Sequence, residues 1–97
     1  MDMQGKVVVI TGASRGFGEA TARVFADAGA RVVLLARSVG KIETIAADIG
    51  RGALALPCDV SDMGSVQTAL GRVAVDCGGL DVLIGNADIA DCASLTQ

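Results

Sequence analysis

The sequence predicts an α/β fold, a doubly wound parallel sheet of about four strands and three helices. Three observations carry that expectation. Short apolar runs are continuous rather than alternating, as strands covered on both faces require. The stretches between them repeat their apolar residues at helical spacing. A glycine-rich turn directly follows the first run.

The elements follow in order. "KVVVI" (6–10) reads as the first strand and leads into "TGASRGFG" (11–18). Phe17, Thr21, Val24, Phe25 and Ala28 then form one helical stripe, which Gly29 should stop. "RVVLLA" (31–36) is a second strand, and Ser38 a candidate N-cap for a helix with the stripe Ile42, Ile45, Ala46, Ile49. After Gly50 comes "ALALPC" (53–58), then Ser61 as the next candidate N-cap and the stripe Val66, Leu70, Val73, Cys77. Gly78 ends that helix before "LDVLIG" (80–85). The result is β-α-β-α-β-α-β with right-handed crossovers, half or more of a Rossmann-like sheet in strand order 3-2-1-4. The first two helices should cover one face and the third begin the other. No linker or repeat divides residues 1–97, which read as one small domain.

Composition narrows the function. The chain has 8 Lys and Arg against 11 Asp and Glu, a net charge of −3, and its basic residues are scattered. Phosphate-backbone and anionic-membrane surfaces need clustered cations, so neither nucleic acid nor membrane is an expected partner. No apolar run approaches the length that spans a bilayer, and no signal-like leader opens the chain. The expectation is a soluble, cytoplasmic protein. Cys58, Cys77 and Cys92 form no C-x-x-C pair and histidine is absent, so idle thiols are expected and no metal site.

The glycine turn carries the chemistry. A turn from a strand's carboxyl end into a helix presents unpaired N–H groups and partial positive charge, which suits a pyrophosphate. Glycines there remove the Cβ atoms that would obstruct the approach. The turn is not a P-loop, because no Gly-Lys-Ser/Thr closes it, and Thr21 stands where the third glycine of G-x-G-x-x-G would be. The spacing is Gly12-x-x-x-Gly16-x-Gly18.

That spacing resembles the cofactor loop T-G-x-x-x-G-x-G of the short-chain dehydrogenase/reductase family at every defined position. "CDVSD" (58–62) resembles the family's Asp-Val after the third strand. "GGLDVLIGNADIA" (78–90) resembles its fourth strand and Asn-Asn-Ala-Gly turn. The likeness runs through essentially the whole chain. It implies an NAD(P)-binding portion of an oxidoreductase that moves a hydride between NADP(H) and a carbonyl or alcohol. It also implies roles for residues. Gly12, Ser14, Arg15, Gly16 and Gly18 would belong to the dinucleotide loop, with the Phe17 amide near the pyrophosphate. Asp59 would accept from the adenine amino group beside the Val60 backbone, and Asn86 and Ala87 would line the ribose end. For Asp59, an Asx turn at a helix entry is the competing reading; for Phe17, helix-to-sheet packing holds either way.

Charge bears on which dinucleotide. NAD sites place an acid near the end of the second strand to hold the ribose hydroxyls. Here that position reads Ala36-Arg37-Ser38. Arg37, joined by Arg15, would form charge-assisted contacts with a 2′-phosphate, which favours NADP(H) over NAD(H). The alternative is that both are ordinary solvated arginines.

The family's Tyr-x-x-x-Lys pair and serine have no counterpart. The chain has no tyrosine, and Lys6 and Lys41 lie in the first strand and second helix. Ser94 aligns with no motif. The catalytic set is therefore empty, and the chain is expected to be inactive alone. Gly85 and Asp88 depart from the family's turn and put the nicotinamide end in doubt. Ending near residue 97, such a sheet leaves one face half uncovered and an apolar edge strand, so a homo-oligomer or a poorly soluble monomer is expected. The competing reading of function is a non-catalytic module that binds a protein partner or the cofactor alone.

Overall fold

The structure, a computed structural model, describes residues 2–12, 16–59 and 61–85, with the side chain of Phe17 excepted. Four strands alternate with three helices: β1 (Val7–Thr11), α1 (Gly16–Asp27), β2 (Arg31–Ala36), α2 (Val39–Ile49), β3 (Leu54–Pro57), α3 (Met63–Cys77) and β4 (Val82–Gly85). The expected runs contain these strands to within a residue or two at each end. All neighbours pair in parallel, in the order β3-β2-β1-β4.

β1 and β2 are buried on both faces, which is why their sequences are continuously apolar. Val8, Ile10, Val32 and Leu34 face α1 and α2. Val7, Val9, Val33 and Leu35 face α3, where Cys58, Val66, Ala69 and Val73 close over them. The helices thus divide between the faces as expected. β3 and β4 stand at the two edges of the described sheet and are half-buried, save for the exposed Pro57.

The apolar faces expected for α2 and α3 are present, Ala69 joining the latter. The face expected for α1 is corrected. Val24 is 57% exposed, while Gly18, Ala22 and Ala26 are buried at intervals of four. Small residues let α1 lie close over Val8 and Ile10, while Phe25 of the expected stripe packs against the same cluster from beside them.

Of the two expected caps one stands in place and the other is corrected. Ser38 occupies the N-cap position of α2, but its side chain makes no capping hydrogen bond. It lies outside the extended conformation that aims such a hydroxyl at the first turn. The N-cap of α3 is Asp62 rather than Ser61, and its Oδ1 accepts from the Gly64 amide at 3.0 Å. Gly78 closes α3 at φ 79°, in the left-handed region glycine enters cheaply.

Tethers gather at the amino-terminal edge of the sheet. The Val7 amide donates to Asp81 Oδ2 at 2.8 Å, and the Asp81 amide donates to the Val7 carbonyl at 2.9 Å. Arg31 donates from its backbone to Lys6 O and from Nε to Gly52 O. Arg51, at φ 55°, donates to Ala26 O at 2.6 Å and brings a cation to the end of α1, whose last turn has none. Arg23 bridges Glu19 (2.8 Å) on its own helix and Asp48 (2.7 Å) on α2. No helix among the described residues is long and apolar enough to cross a membrane.

The revised α1 face predicts opposite outcomes for neighbouring positions in urea unfolding. Ala22→Leu should cost about 1–3 kcal/mol by overpacking. Val24→Ser should stay within about 0.5 kcal/mol of the parent.

Candidate dinucleotide site

The parallel register determines what meets at the carboxyl edge. Thr11, the last residue of β1, pairs with Leu35 of β2 and Gly85 of β4, and Ala36 pairs with Pro57 of β3. Four chain segments therefore leave the sheet side by side. β2 and β3 lie on one side of β1 and β4 on the other, so the chain reverses its direction of winding beside β1, where open α/β sheets form their crevice. Thr11 Oγ1 donates to Ile84 O at 3.4 Å across that point.

Gly12 follows β1 at φ 66°, a conformation that would strain a side-chain-bearing residue. Gly16 opens α1, and among the described residues no atom outside its chain neighbours and its own helix backbone lies within 4 Å of where its Cβ would stand. The N–H groups of the first turn have no intrahelical partner, and an anion would satisfy them. Gly18 is buried in α1. The residues present fit a pyrophosphate on this count. Ser14 and Arg15 lie outside the described residues, as do Val60, Asn86, Ala87, Asp88, Cys92, Ser94 and the side chain of Phe17.

The next two segments form a cleft. Arg37 follows β2 and is exposed; Asp59 follows β3 after Cys58, whose amide donates to Ala36 O at 3.1 Å. Arg37 and Asp59 line one cleft of about 440 Å³ with Pro57, Cys58, Gly64, Ser65 and Thr68. That volume lies within the range of about 300–1,000 Å³ usual for small-ligand sites. Gly64, Ser65 and Thr68 were not anticipated as lining residues. They come from the first turns of α3, and the stripe Val66, Leu70, Val73 would have revealed them as residues turned away from the core.

Asp59 is held tightly. Its Oδ1 accepts from the Ser61 amide at 3.0 Å and from Ser61 Oγ at 2.6 Å. Its own amide donates to Ser65 Oγ at 2.9 Å, and its carbonyl accepts from the Asp62 amide. The Asx turn weighed against a ligand role is therefore present, and it coexists with a place in the cleft. Both Ser61 hydrogen bonds hold the Asp59 carboxyl below its ordinary value of 3.8, the positive charge of Arg37 acting in the same direction. Among the described residues Cys58 and Cys77 form no disulfide, the first being buried and the second half-buried.

Carboxyl titration by NMR should therefore find Asp59 below 3.8 in the parent. It should rise toward that value in Ser61→Ala. Because folding lowers this value, the associated stability is present above the unfolded value and is lost as pH falls through the folded one.

Comparison with known proteins agrees with this geometry. The short chain dehydrogenase family model matches residues 6–97. Galactitol 2-dehydrogenase of Agrobacterium fabrum is 38% identical over 98% of this chain and 37% of its own length. Meso-2,3-butanediol dehydrogenase of Serratia marcescens is 41% identical over 100% of this chain and 39% of its own. The chain thus spans well under half the length of these curated relatives. Among solved structures, 3-ketoacyl-(acyl-carrier-protein) reductase of Brucella melitensis, complexed with NADH, superposes with a TM-score of 0.81 at 40% identity. That match covers 84% of this chain and 34% of the reductase. A short-chain dehydrogenase/reductase of Mycobacterium marinum gives 0.80 at 36% identity, over 84% of this chain and 34% of its own. With its sheet order, its glycine turn and the family match over nearly all its residues, this chain belongs to the short chain dehydrogenase family.

Proposed function

We propose that residues 1–97 form the dinucleotide-binding portion of a short-chain dehydrogenase/reductase, that NADP(H) is favoured over NAD(H), and that the chain by itself is catalytically inactive. The observation that carries this reading is the meeting of Gly12, the α1 N-terminus, Arg37 and Asp59 at one edge of the sheet. Gly12, Gly16 and Gly18, with Ser14 and Arg15, admit the pyrophosphate to the amides around Phe17. Asp59 accepts from the adenine amino group with Val60 beside it, and Asn86 and Ala87 line the ribose end. The bound nicotinamide supplies the hydride chemistry.

The preference for the phosphorylated cofactor rests on Arg37. It is exposed, directly follows β2 and has no acid at either sequence neighbour, so a 2′-phosphate gains a charge-assisted contact at that strand end. Arg15 is a second candidate for the same phosphate. Inactivity rests on the absence of tyrosine and histidine from the sequence, which leaves the carbonyl oxygen no evident proton donor. A soluble, cytoplasmic, self-associating protein completes the reading.

Binding is read directly by titrating the chain with NADPH and NADH and following cofactor fluorescence, since the protein has no Trp or Tyr. NADPH should bind more tightly, and Arg37→Asp should weaken it by roughly tenfold or more. Equal affinity for the two cofactors in parent and variant would remove the preference. No binding of either by the folded chain would favour a non-catalytic partner module instead.

A further inference from the structure

Ser61 has an exposed hydroxyl and takes no part in capping α3, which Asp62 does. Its two donors nevertheless both converge on Asp59 Oδ1, at 2.6 and 3.0 Å. No hydrogen bond from a described residue reaches Oδ2. With Ser65 Oγ accepting from the Asp59 amide, both ends of that residue are fastened while no described residue engages its second carboxylate oxygen.

We infer that Ser61 is a positioning residue: it fixes the Asp59 carboxylate by one oxygen so that the other can accept the exocyclic amine of adenine. The inference rests on the proposed dinucleotide site and adds to it the group that orders its base contact before the ligand arrives. A free aspartate would lose rotamer freedom on binding and could turn either oxygen outward. One already ordered by a neighbour meets that cost in the folded state. A fixed acceptor also discriminates, because a base lacking the amine leaves it unpaired.

The test uses the whole chain with two reduced cofactors, NADPH and its hypoxanthine analogue, in which a carbonyl replaces the adenine amine. The parent should prefer NADPH by roughly tenfold. Ser61→Ala should lose most of that preference by weakening NADPH roughly three- to tenfold, with the analogue unchanged as the internal control for folding. Ser61→Thr, which keeps the hydroxyl, should restore it. Retention of the preference in Ser61→Ala together with its loss in Asp59→Ala would overturn the inference and leave the dinucleotide reading standing. Retention in Asp59→Ala would remove Asp59 from the base contact, and the inference with it. Failure of the parent to bind either cofactor would overturn both.

Discussion

β1 hydrogen-bonds in parallel on both of its edges, and this double pairing constrains the rest of the molecule. A parallel strand cannot be joined to its neighbour by a tight turn, so each connection must cross a face, and helices make those crossings. Covering both faces buries every position of β1 and every position of β2 after Arg31; even Thr11 is buried. Parallel pairing also sends every strand end to the same side. The gathering of Gly12, Arg37 and Asp59 is thus a consequence of register before it is one of chemistry.

What the sequence disclosed follows from how strongly each residue type signals burial. Residues 7–10 of β1 and 32–35 of β2 are unbroken runs of branched aliphatic residues, and the face of α2 is drawn by Ile42, Ile45 and Ile49. Those elements could be read directly. α1 could be read only in part: Phe25 packs against the core as its type suggests, but Gly18, Ala22 and Ala26 are the buried residues of the helix while Val24 is exposed. Close approach was chosen there over bulk, and a hydrophobic pattern registers only bulk. The cap of α3 was displaced by one residue for a similar reason: Ser61 and Asp62 are both good caps by type, and the choice was made by Asp59, which had already engaged Ser61. On the site, the glycine turn, Arg37 and Asp59 were legible from type and spacing. Gly64, Ser65 and Thr68 were not, because a residue lining a cleft from the side of a helix differs in no local way from one facing water.

Asp59 shows why competing readings of a residue need not exclude each other. An Asx turn uses one carboxylate oxygen and one stretch of backbone. The turn lowers the energy of the ionised form and narrows the geometry of the side chain. Those are the properties a carboxylate acceptor needs, so a structural device and a binding device are built from the same two hydrogen bonds.

The amino-terminal edge has a different character. Asp81 clasps Val7 by two hydrogen bonds, Arg31 reaches Gly52, and Arg51 closes the end of α1. These contacts fasten one strand start or helix end to another without involving the residues of the carboxyl edge. The two edges are therefore mechanically separable. A change in the loops at one edge leaves untouched the fastenings at the other, which keep the sheet in register.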